Sequence, residues 1–73
     1  MNKQNEEVLQ YLFDHTDSKK FVQTGELETQ FGISPSALRN CIEDLKEKIY
    51  VFESEYGIQI SESGINYAKS RWV

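Results

Sequence analysis

The sequence predicts a mainly helical α+β domain with one small antiparallel β-hairpin. Three observations carry that prediction. Apolar residues recur at three- and four-residue spacing in segments up to about Lys48, the period of an amphipathic helix. Gly32-Ile33-Ser34-Pro35 ends one helix and starts the next within four residues, because Gly takes the left-handed exit and Ser-Pro is a preferred cap and first turn. From Ile49 to Ile60 the pattern becomes short, β-branched, aromatic and alternating, as in paired strands.

The first helix is expected over Glu6 to His15, where Val8, Leu9, Leu12 and Phe13 share one face. Asn2 or Asn5 can cap it, and Glu6 and Glu7 sit at the positive end of its dipole. Thr16-Asp17-Ser18 breaks the pattern. Lys19 to Gln23 reads as a turn and a very short extended piece, with Phe21-Val22 expected to pair as a third strand, since an isolated hairpin is marginal.

Thr24 is the expected N-cap of the second helix, with Glu26 and Glu28 in its first turn and Leu27 and Phe31 four apart on its inner face. The third helix starts at Ser34-Pro35 and runs to about Lys48. With 100° per residue, Ile42, Leu45 and Cys41 fall within about 60° of Leu38 and form a core stripe. Ser36, Asn40, Glu43 and Glu47 lie opposite, with Arg39 at the flank. Ile49–Glu53 and Ile58–Ile60 are the expected strands, joined by the four residues Ser54-Glu55-Tyr56-Gly57. Ser61 caps a last helix over about residues 62–72, its apolar side marked by Ile65, Ala68 and Trp72.

Composition bounds what such a domain does. The chain has 73 residues, which allows a single domain over 1–73 and a small core. The content is 38% apolar and 12% aromatic, with a net charge of −4; this is not the composition of a disordered chain. No apolar run approaches the roughly 18 residues of a membrane span, and Met1 to Glu7 has no signal-peptide stretch. One Cys cannot make an internal disulfide, so a cytoplasmic location is expected. Residues 1–32 carry three Lys against six Asp and Glu, and residues 33–73 carry five Lys and Arg against six. The second half is the less repulsive surface for a polyanion.

Catalytic chemistry has no foothold. One His and one Cys give no metal-ligand spacing. No nucleophile-and-base pair or Gly-rich phosphate loop is visible. Neither an enzyme nor a cofactor is expected. Cys41 sits on the core stripe and reads as a small buried hydrophobe. His15 ends the first helix, where a cation suits the dipole.

The stretch GELETQFGISPSALRNCIEDL, from Gly25 to Leu45, resembles a helix-turn-helix. Leu27, Phe31, Gly32, Ile33, Leu38 and Cys41 carry the likeness: the first two bury against the last two, Gly32 makes the turn and Ile33 plugs the corner. With the helix-turn-helix at about 25–48, the hairpin at about 49–60 as a wing and the last helix beyond it, nearly the whole chain resembles bacterial winged helix-turn-helix regulators. One departure is Glu28, where such motifs often place a small residue between the helices; either its stem is accommodated with the carboxylate at the rim, or the interhelix angle opens slightly.

The resemblance implies duplex DNA as partner and the helix from Pro35 as the recognition helix. Ser34, Ser36, Arg39 and Asn40 would then sit at the end that meets base edges. Arg39 suits guanine, Asn40 adenine, and Glu43 a cytosine amine. Ser36 and Thr24 would hold phosphates at helix N-termini, and Lys19 and Lys20 would lie near the backbone. The wing departs from this pattern, with Glu53 and Glu55 and no Lys or Arg. An acidic wing is what a protein-binding winged helix would carry, and that is the alternative. Tyr50, Phe52 and Trp72 either pack together within one subunit or form a homodimer surface. Phe31→Ala is expected to cost about 3–5 kcal/mol, as for a fully buried Phe.

Overall fold

A computed structural model describes residues 2–15 and 20–72. The elements run α1 (Lys3–Asp14), α2 (Thr24–Phe31), α3 (Pro35–Glu47), β1 (Val51–Ser54), β2 (Gly57–Ile60) and α4 (Glu62–Trp72). This is the winged-helix arrangement: three helices, a two-stranded antiparallel hairpin and a closing helix. Among the described residues no helix is long and apolar enough to cross a membrane.

Helix α1 begins three residues earlier than the apolar period suggests. Asn2 is the cap, its side chain accepting from the Asn5 amide at 2.8 Å. Asn5 is instead buried within the helix, its side-chain amide donating to Asp44 of α3 at 3.1 Å. Val8, Leu9 and Leu12 are fully buried and form the centre against which α3 and α4 pack. At the far side Glu6 bonds Arg71 at 2.9 Å and accepts from the Tyr67 hydroxyl at 3.2 Å, tying α1 to α4.

Thr24 is not a cap but the first helical residue of α2. The cap position is Gln23, which makes no side-chain hydrogen bond. Its carbonyl accepts from Glu26 and Leu27, so the helix starts one residue sooner than a Thr cap would start it. Gly32 ends α2 in the left-handed conformation, φ 61°, and its N–H returns to Glu28 O. The Glu28 side chain is half-buried. Ser34 then caps α3, accepting from the Ala37 amide at 3.2 Å with Pro35 behind it. Leu27, Leu38, Ile42 and Leu45 are buried, while Phe31 and Ile33 are partly buried and packed on the same cluster.

The hairpin starts at Val51 rather than Ile49. Ile49 and Tyr50 terminate α3 instead, donating to the Lys46 and Leu45 carbonyls at 2.9 Å each. This is the paired bonding of a Schellman end, and it places Ile49 at φ 62°. The connection is the two residues Glu55 and Tyr56, because Ser54 pairs with Gly57 across the ladder. The expected third strand is reduced to one bridge: Val22 exchanges both backbone hydrogen bonds with Ile58, each 2.8 Å. The chain enters α2 directly afterwards, leaving nothing more to pair. Gly57 permits even that approach, since at φ 125° a β-carbon there would lie 2.5 Å from the Val22 carbonyl oxygen.

Candidate nucleic-acid interface

The two faces of α3 follow its wheel. Leu38, Cys41, Ile42 and Leu45 are buried, and Ser36, Arg39, Asn40, Glu43 and Glu47 are exposed. Ser34 and Ser36 are both exposed at the head of the helix, their hydroxyls 3.4 Å apart. The Asn40 side chain has no hydrogen-bond partner among the described residues. Burial pushes the Cys41 thiol up, with the Asp44 carboxylate adding to it; this matches a packed hydrophobe rather than a reactive thiol.

Arg39 is not an open flank residue. Its Nη1 and Nη2 each donate to one carboxylate oxygen of Glu53 at 2.8 Å, and Nη1 also donates to Glu43, one turn on, at 3.1 Å. Lys46 reaches the same Glu53 at 3.1 Å and Glu43 at 3.5 Å. Two cations and two carboxylates thus form a neutral cluster that fastens the wing to the side of α3. The carboxylate of Glu53 is held down to about 2, first by the Arg39 hydrogen bonds and then by the one from Lys46. Both cations are correspondingly shifted up.

The strand alternation signals the face on which Glu53 lies, though not its partner. Val51 is buried, Phe52 is exposed and Glu53 is again partly buried, so Glu53 shares the face of Val51 that looks at the helices. Reading Glu53 as part of an acidic wing tip misses that it is the counter-charge of Arg39 and Lys46 on α3.

An open groove of about 280 Å³ runs from the start of α2 to the wing turn, lined among others by Thr24, Gly25, Arg39, Glu53 and Tyr56. At its edge the Phe21 and Tyr56 rings stand 6.0 Å apart, both exposed. Lys20 is exposed beside them in the chain; Lys19 lies outside the described residues. The structure therefore brings Thr24 and Arg39 to one groove and Ser34 and Ser36 together, with Asn40 one residue beyond Arg39 on α3.

The C-terminal aromatics divide. Tyr50 and Trp72 both pack on Tyr67, with ring centroids 4.8 and 5.9 Å away. Phe52 is apart from them, 54% exposed, in a shallow groove with Ile60 and Ile65. Tyr50, Phe52 and Trp72 thus do not make one cluster. His15 caps α1, its Nδ1 2.9 Å from the Tyr11 carbonyl and its ring stacked on Tyr11. Among the described residues no three His, Cys, Asp or Glu side chains converge as metal ligands do.

Compared with known proteins, residues 3–64 match the family model of the M protein trans-acting positive regulator (MGA) HTH domain. The match runs from the first residue of α1, through the helix-turn-helix and the wing, into α4. No curated protein and no solved structure matches the chain.

Proposed function

Since the chain belongs to the M protein trans-acting positive regulator (MGA) HTH domain family, we propose that it binds duplex DNA sequence-specifically, as a non-catalytic module of transcriptional control in the cytoplasm. The observation that carries this reading is the face of α3. Its first two turns present Ser34, Ser36, Arg39 and Asn40 outward on a helix anchored by four buried residues, with Arg39 held from the side by Glu53 of the wing. That is the presentation a recognition helix needs to enter a major groove.

In this reading Arg39 and Asn40 contact base edges. Ser34, Ser36 and the start of α2 at Thr24 lie against phosphates, and Lys20 approaches the backbone. Glu43 accepts from a cytosine amine. The electrostatics are thin for a DNA binder, because Arg39 and Lys46 are already matched by Glu43 and Glu53. Affinity should therefore depend modestly on salt, with a slope equivalent to about three to five phosphate contacts per subunit.

The test is a titration of labelled duplexes, mixed and selected, at low and moderate salt. Arg39→Ala should cost about 1–3 kcal/mol on the selected duplex. Glu43→Gln and Glu47→Gln should strengthen binding to mixed duplex by removing repulsive charge. Absence of any duplex binding by the parent protein at low salt ends this reading. It would favour a protein-contact module or homodimer, for which the exposed Phe52 supplies the apolar anchor.

A further inference from the structure

The acidic wing poses a problem for DNA binding that the geometry of Arg39 resolves. A guanidinium has five N–H donors arranged as a rigid fork. Glu53 takes one from Nη1 and one from Nη2, end-on, and Glu43 takes the second from Nη1. What remains is the side edge, Nε–H and the second Nη2–H, two parallel donors with no partner among the described residues. The side chain is 46% exposed and lines the open groove between α2 and the wing. Glu53 is itself held, by Lys46 at 3.1 Å and by its place in β1 opposite the buried Ile58.

Two consequences follow. The cluster is neutral, so it offers almost no net attraction to a phosphate, whose binding is driven by charge. Its free edge, by contrast, is a fixed pair of directed donors, and the acceptors that match such a pair in the major groove are O6 and N7 of guanine. A guanidinium already held by three hydrogen bonds also loses less conformational freedom on contact than a free Arg does.

We infer that Glu53 is a positioning residue for sequence recognition: the wing contributes by orienting Arg39 toward a guanine rather than by touching DNA. This inference rests on the DNA-binding reading above and assigns the wing its part in it. The wing then needs no cations. Glu53 sets specificity while its charge lowers affinity for duplex in general.

The experiment measures discrimination rather than affinity alone. Duplexes are selected with the parent protein, and each base pair of the preferred site is then replaced in turn. Arg39→Ala identifies the guanine position as the one at which discrimination disappears. The parent should discriminate there by about tenfold or more. Glu53→Gln should lose at least two-thirds of that factor at the same position and keep it elsewhere, while its affinity for mixed duplex is unchanged or higher. Glu47→Gln, at an exposed carboxylate of α3 that bonds neither Arg39 nor Glu53, should retain discrimination within about threefold and serves as the matched charge control. Thermal melting of each variant confirms that the fold is kept.

Undiminished discrimination by Glu53→Gln at the guanine position overturns the inference and leaves the DNA reading standing. Discrimination lost evenly at all positions also overturns it, because orientation of one side chain acts at one base pair. A parent protein that binds no duplex overturns both.

Discussion

Gly64 lies directly beneath Tyr50, its α-carbon so close to the Tyr50 carbonyl that a β-carbon there would overlap the oxygen and come within 2.7 Å of Ile60 Cγ1. The same Tyr50 carbonyl accepts the Ser61 amide at 2.9 Å, and the Ser61 hydroxyl accepts from the Gly64 amide at 3.0 Å while donating to the Ile49 carbonyl. This knot joins the end of α3, the exit of the wing and the start of α4. Gly64→Ala improves helix propensity, yet it should destabilise the fold by about 1–3 kcal/mol, because the obstacle is backbone and must shift. Urea unfolding of the variant checks this; a stabilised protein would contradict the close approach.

Leu27 rather than Phe31 is the energetic centre of the helix-turn-helix contact. Leu27 is fully buried, whereas Phe31 is half-buried and meets Tyr11 edge-on at 5.6 Å. Leu27→Ala should cost about 2–5 kcal/mol. Phe31→Ala should cost about 1–2 kcal/mol, scaled from the gain of full burial, and not the larger loss that its motif position suggests. Urea midpoints of the two variants, compared at equal m-value, test the order.

Ile49 sits at φ 62° with its side chain 61% exposed. A β-branched residue in that conformation is strained by about 1–2 kcal/mol, and here it recovers little by burial. Ile49→Gly should therefore be neutral to stabilising by up to about 1 kcal/mol, the relief exceeding the added freedom of the unfolded chain. Calorimetric melting decides, and a clear loss of stability would show that the exposed side chain makes contacts worth more than the strain.

The Arg39–Glu53 bond has a pH signature. Because the carboxyl is held near 2 in the folded chain, below its usual 4.5, its contribution is complete above about pH 4.5. It fades as pH falls from there through 2. A carbon-13 titration of the Glu53 side chain should show a midpoint near 2. Arg39→Ala should raise that midpoint toward the usual value, and Lys46→Ala should raise it by less, in the order of the hydrogen bonds each supplies.

Much of this architecture was legible from local chemistry. The cap at Ser34-Pro35, the left-handed exit at Gly32 and the stripe Leu38, Cys41, Ile42 and Leu45 are dictated by residues within one or two turns of each other. The sequence therefore determined by itself the helix-turn-helix, the inner and outer faces of α3 and the existence of the wing. The end of α3 near Lys48 was legible too, but only the folded chain showed that Ile49 and Tyr50 close that helix instead of opening the wing, with the Tyr50 carbonyl taken by Ser61. The tertiary structure alone reduced the Phe21-Val22 strand to the single Val22–Ile58 bridge, a matter of how near the hairpin comes to the entry of α2. It alone joined Glu53 to Arg39. That last relation spans 14 residues and depends on the angle at which β1 leaves α3, and charge pairing across such a distance is set by packed geometry, not by any propensity written along the chain.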